Sequence, residues 1–140
     1  AVDKANKLLM EINDSLDRGV DKEFKSKVKR ARAVVSCSIK KLPKTKYNCS
    51  KKKKPGVVAQ TMPVIGKKVS LYSGFWNSSE DYKVSTLIHE ATHKCATTDA
   101  NYNYQSGKRP SSKGVIGWQN IASTYDYWVM YGFCIPGDDC

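Results

Sequence analysis

Only two histidines occur in the 140 residues, and both lie in one short run, His89-Glu90-Ala91-Thr92-His93. On a helix, residues four apart sit one above the other, so both imidazoles leave the same face. Two such nitrogens hold a zinc ion, and Glu90 beside them serves as general base on the metal-bound water. The pattern is the H-E-x-x-H of zinc hydrolases, and it predicts hydrolysis at one catalytic Zn2+.

A catalytic zinc takes three protein ligands and keeps a position open for water. No histidine remains to supply the third, and no glutamate follows Glu90. The downstream candidates are Asp99, Asp126, Asp138, Asp139 and the thiols. Cys95 lies two residues past His93, on a different helical face. Asp99 is close enough to fold back once the helix ends, and Thr97-Thr98 and Asn101 suit a turn that reverses the chain.

The zinc-site helix is expected from about Glu80 or Asp81 to Lys94, with Val84, Leu87, Ile88 and Ala91 on its apolar side. Before it, Val57 to Ile65 and Lys68 to Phe75 read as strands joined by a turn at Gly66-Lys67. Leu42 to Lys54 is polar, basic and bounded by prolines, a loop with room for a short strand. Upstream, Val2, Ala5, Leu8, Leu9, Ile12 and Leu16 mark one helix ending near Arg18-Gly19. Phe24, Val28, Ala31, Val35 and Ile39 mark a second, starting near Asp21, with its cations on the solvated face. Downstream, Ser111-Ser112 is expected to cap a long helix through Val115, Trp118, Ile121, Tyr125 and Val129 that stops around Gly132. Trp118, Tyr125 and Trp128 read as core.

A chain of this length can bury a real core, and its 40% hydrophobic and 26% charged residues are ordinary for a globular protein. No apolar run reaches membrane-spanning length. The start lacks a basic segment followed by an apolar core, so any signal peptide or upstream domain is expected to lie outside this sequence. The net charge of +11 is carried mainly by lysine, in Lys22 to Arg32, Lys40 to Lys46 and Lys51 to Lys54. Aromatic residues do not interleave with these runs, and no nucleic-acid-binding motif is present. Five cysteines suggest disulfides and an oxidising compartment. Proximity pairs Cys37 with Cys49 and Cys134 with Cys140, leaving Cys95 odd, although spacing alone does not decide connectivity.

The run from His89 to His93, followed by Ala96-Thr97-Thr98-Asp99-Ala100-Asn101-Tyr102-Asn103, resembles the aspzincin metallopeptidases, which include deuterolysin and the peptidyl-Lys metalloendopeptidases. Their pattern is H-E-x-x-H and then G-T-x-D-x-x-Y-G. Thr97, Asp99 and Tyr102 match it, while Ala96 and Asn103 stand where the pattern has glycine, and the link between the motifs is short. Val69 to Trp76 resembles the strand before the zinc helix of the peptidyl-Lys group. Asn120 to Trp128 resembles its later asparagine-alanine-aspartate helix, so the likeness spans roughly residues 45 to 132. It implies His89, His93 and Asp99 as zinc ligands, Glu90 as base, and Tyr102 as the hydroxyl donor to the oxyanion or leaving amine. It also implies Asp126 as a substrate-binding residue for a lysine side chain, with Ser123 where a second acid is expected.

The expected fold is α+β and zincin-like, mainly helical with a small antiparallel sheet or hairpin. One catalytic domain is expected over 1–140, with a helical scaffold at 1–41 and the strands, zinc helix and last helix at 42–140. The expected activity is that of a zinc-dependent endopeptidase, secreted or periplasmic, with a toxin or effector role among its readings. The alternative is a non-catalytic basic module that binds a polyanion and uses its metal for structure. Expected partners are a protein or peptide substrate and a cognate inhibitor or immunity protein, with no specific nucleic acid, no membrane span and a monomeric state.

Overall fold

The computed structural model describes residues 1–17, 25–61, 68–102 and 109–136. Helices α1 (Val2–Asp17) and α2 (Lys25–Lys41) pack on each other and on the helix that carries the two histidines. Ala5, Leu9 and Ile12 of α1 and Val28, Ala31, Val34 and Val35 of α2 are buried, at the three- and four-residue spacings of a helix face. Phe24 and the proposed start of α2 near Asp21 lie outside the described residues. A single 3-10 turn, Leu42–Lys44 with Pro43 near its start, ends α2 and drives Leu42 into the core.

Strands β1 (Lys46–Cys49), β2 (Ala59–Thr61) and β3 (Lys68–Leu71) form a sheet in the order β1-β3-β2. β2 and β3 are the expected antiparallel pair, with Ala59 opposite Leu71 and Thr61 opposite Val69. Residues 62–67, including the expected turn at Gly66-Lys67, lie outside the described residues. The sheet as a whole is mixed, not antiparallel, because β1 runs parallel to β3 with Lys46 opposite Lys68. A parallel pair needs a long crossover, and the stretch from residue 50 to residue 67 supplies it. The strand expected to reach Phe75 stops at Leu71. The chain instead makes one helical turn, α3 (Ser73–Trp76), which buries Phe75.

Helix α4 (Glu80–His93) begins where Ser79 Oγ accepts from the Tyr82 N–H (3.3 Å), and Glu80 and Asp81 complement the dipole of its first turn. Val84, Leu87, Ile88 and Ala91 face the core as expected. The long helix expected from Ser111-Ser112 does not form. Lys113 and Ile116 bridge across a tight turn with Gly114 at φ +57°, leaving Val115 exposed. Ser112 Oγ accepts from the Trp118 N–H (3.2 Å) at a 3-10 turn, Trp118–Asn120. The last helix, α5, starts only at Ala122 and runs to Tyr131 before Gly132. Trp118, Tyr125 and Trp128 are core residues, their rings edge to face at 5.3–5.9 Å. Among the described residues no helix is long and apolar enough to cross a membrane.

The expected Cys37–Cys49 bridge is replaced by Cys37–Cys95, 58 residues apart in sequence. Packing of α2 against α4 brings these two Cα atoms within 6.0 Å, whereas Cys49 ends β1 as a free, exposed thiol. Cys95, odd by proximity, is therefore the structural partner. Cys134 is disulfide-bonded as well, and Cys140, its expected partner, lies outside the described residues.

Candidate active site

One turn of α4 separates His89 from His93, and their ring nitrogens converge as the spacing predicts. His89 Nε2 and His93 Nε2 are 3.1 Å apart, and each is 2.9 Å from Asp99 Oδ1. The outer nitrogens are held by groups that only accept. His89 Nδ1 donates to Asp126 Oδ2 (2.7 Å) and His93 Nδ1 to the Thr97 carbonyl (3.1 Å). With both Nδ1 atoms protonated, each Nε2 lone pair points at the shared center, beside a carboxylate oxygen.

Three such atoms facing one point favor a positive charge among them, a proton on His89 or a metal ion. Burial opposes a charge on His89, yet its hydrogen bonds to Asp126 and Asp99 outweigh it and push the imidazole up to about 10. Asp99 shows the converse: burial would raise it, but the two imidazoles hold its carboxyl far below the usual range. The residues fit a zinc ion. Two nitrogens and one oxygen are the right donor set, and their spacing is close to the edge of a zinc coordination tetrahedron, about 3.3 Å. Among the described residues the ligand cluster stops at three, and the Asp99 side chain is 47% exposed, so one side stays open as in a catalytic site.

Asp99 lies beyond the helix, and the turn that returns it is strongly tied. The Thr97 N–H donates to the Thr92 carbonyl (3.3 Å) and the Ala96 N–H to the His93 carbonyl (3.2 Å), closing α4 with Ala96 in the left-handed region at φ +65°. Thr98 then pairs with the entry to α5, its N–H on Asn120 O (2.9 Å) and its carbonyl taking the Ala122 N–H (3.0 Å). Arg30 of α2 clamps both strands of this junction. Its Nη2 donates to the carbonyls of Cys95 (3.0 Å) and Ala96 (3.2 Å), and its Nε to Asn120 Oδ1 (3.0 Å). The Cys37–Cys95 bridge fastens the same turn.

A cleft of about 440 Å³ opens over the cluster, with Glu90, Tyr102 and Asp126 in its lining and β2 along one wall. Glu90 is buried, which raises its carboxyl above the ordinary range against the pull of His89 and His93. The Thr61 backbone beside it favors the charged form slightly, while Glu90 Oε2 has no partner. Tyr102 stacks its ring on His89 at 6.0 Å and is 48% exposed. Burial, and then the negative Asp99 and Glu90, raise its hydroxyl, keeping it protonated. Asp126 is buried, with Ser123 Oγ donating to its Oδ2 (3.5 Å) and its Oδ1 unpartnered.

Every site residue expected from sequence thus lies in or around one cleft. Sequence reasoning missed the supporting groups: Arg30, the Thr97 carbonyl and the His89–Asp126 contact. Thr97 is detectable in principle, four residues past His93 where a returning chain meets the ring. Arg30 carries no such signal among 24 lysines and arginines.

A family model described as lysine-specific metallo-endopeptidase, the aspzincin family, matches residues 19–129. Among solved structures, a zinc peptidase from Grifola frondosa has the same fold. The TM-score is 0.75 at 16% identity, over 91% of this chain and 88% of that one. No curated protein matches. The family match takes in most of the chain, including β1–β3, α4, the Asp99 turn and most of α5, and on it the chain belongs to the aspzincin metallo-endopeptidases.

Proposed function

We propose that this chain cleaves peptide bonds at a zinc held by His89, His93 and Asp99. The observation that carries the reading is the meeting of three acceptor atoms at 2.9–3.1 Å beside a buried, half-unpartnered glutamate. Zinc bound there supplies a Lewis acid that polarises the scissile carbonyl and acidifies water. Glu90, raised by burial, takes a proton from the attacking water and delivers it to the departing amide nitrogen. Tyr102, kept protonated, donates to the oxygen as charge develops on it. Asp126 and the Thr97 carbonyl hold the two imidazoles with Nε2 turned to the cleft.

The substrate is an extended peptide. In an antiparallel pair, alternate residues turn their backbone groups to opposite sides. Tyr72 N–H bonds the Val58 carbonyl, so Val58 and Gln60 face β3 while Ala59 and Thr61 face the cleft. The Thr61 backbone lies beside Glu90, which leaves Ala59 to pair with substrate. The unpartnered Asp126 Oδ1 anchors a lysine ammonium, in keeping with the lysine specificity in the family's description. Its single carboxylate, with Ser123 beside it, makes that preference weaker than a two-acid pocket would. The Cys37–Cys95 bridge supports export to an oxidising compartment.

The test is Glu90→Gln in folded, zinc-loaded protein. Loss of a positioned general base lowers kcat by about 10²–10⁴-fold. Undiminished cleavage of a mixed protein substrate, followed by mass spectrometry, would remove this mechanism.

A further inference from the structure

We infer that the cleft continues into a second binding site, built around Lys53 and Lys54, which takes an acidic side chain of the substrate several residues from the scissile bond. The inference rests on the peptidase reading only in naming the ligand as a peptide. A second cavity of about 560 Å³ adjoins the first and shares Gly56, Val57, Val58 and Tyr82 as walls. Lys53 and Lys54 line it and not the first. A chain laid along β2 and leaving the cleft past Gly56 therefore passes both ammonium groups.

Lys54 is held in place. Its Nζ donates to Gln60 Oε1 (2.6 Å), a residue of the first cleft, and stands 5.3 Å from the center of the Tyr72 ring. An amide and an aromatic face orient an ammonium without neutralising it. Among the described residues neither Lys53 nor Lys54 is in an ion pair. Glu80 and Asp81, at the start of α4, are taken by the Ala1 ammonium (3.2 Å) and by Lys4 (2.7 Å), and neither lines the cavity. The result is a groove of opposite polarity at its two ends, carboxylates around His89 and His93 and lysines beside Gly56. A nucleic acid is the competing polyanion. Continuity with the cleft favors a carboxylate on the same chain that enters the site.

The experiment uses zinc-loaded Glu90→Gln protein and fluorescent peptides with one central lysine. Members of each pair differ only by Glu or Gln at one position, scanned outward on both sides, and binding is read by anisotropy. One position on one side should bind about fivefold more tightly as Glu than as Gln, as suits one partly exposed ion pair. That advantage should shrink in Lys53→Gln/Lys54→Gln and vanish in Lys53→Glu/Lys54→Glu. Absence of an advantage at every position, or its survival through the charge reversal, would overturn the inference. So would an oligonucleotide that outbinds every peptide and is lost with the same lysines. Because the readout is binding, a wild-type protein that cuts nothing would sink the peptidase reading while leaving this site standing.

Discussion

Asp126 Oδ2 lies 2.7 Å from His89 Nδ1, and this contact joins α5 to the working face of α4. The carboxylate fixes the tautomer of the ring, so that His89 presents a lone pair to the point where His93 and Asp99 also converge. A residue expected to read substrate thereby has a second use, through its other oxygen.

The two uses separate in Asp126→Asn. An amide of the same size presents NH2 or a weaker acceptor to Nδ1, so zinc affinity should fall about 10–100-fold, in the range for a lost second-sphere carboxylate. Competition against a chromogenic chelator measures it, with circular dichroism to verify folding. At saturating zinc the same variant should lose its discrimination between lysine and glutamine beside the cut. Unaltered zinc affinity would refute the positioning role, and unaltered discrimination the anchoring one.

The bridge between Cys37 and Cys95 closes a loop of 58 residues and lands two residues past His93. Cys37→Ala/Cys95→Ala should destabilise the protein by roughly 2–4 kcal/mol, as expected for a loop of this size. In urea the variant's midpoint should drop, with a slope no smaller than the wild type's because the unfolded chain without this cross-link exposes more surface. Reductant should lower the wild-type midpoint by more than the variant's, which has only the Cys134 bridge left to lose. A wild-type midpoint indifferent to reductant would mean that the bridge carries none of the stability.

The contrast between these two contacts shows what a sequence displays. His89, Glu90 and His93 are neighbors on one helix, so their meeting follows from 3.6 residues per turn, and α4 was legible from its apolar side. Asp99 was legible because the chain has only six residues in which to return. The partner of Cys95, the role of Arg30 and the parallel pairing of the short strand β1 were not, because each depends on how α2 and the sheet pack against α4, and no local spacing records that. The start of α5 failed for a different reason. Apolar residues from Val115 onward keep a helical rhythm, but the turn at Gly114, the 3-10 turn Trp118–Asn120 and the pairing of Thr98 with Ile121 keep the chain out of an α-helix until Ala122.

Ala96 is where that tertiary demand meets an unfavorable residue. It holds φ +65° at the end of α4, in the closing turn where glycine is the usual occupant, and it is exposed. A side chain with Cβ pays a steric penalty of about 1–2 kcal/mol in this region. Glycine removes that penalty but gives back part of it by loosening the unfolded chain. Ala96→Gly should therefore stabilise the protein by about 0.5–1 kcal/mol, and Ala96→Val should destabilise it by at least as much. The turn is also tied by Arg30, the disulfide and the Thr98–Ile121 pairing, so zinc affinity should stay within about twofold in Ala96→Gly. Paired urea titrations and chelator competition decide it. A destabilised glycine variant would show that Ala96 is not strained, and a stabilised one with weakened zinc binding would show that the strain itself helps to hold Asp99 in place.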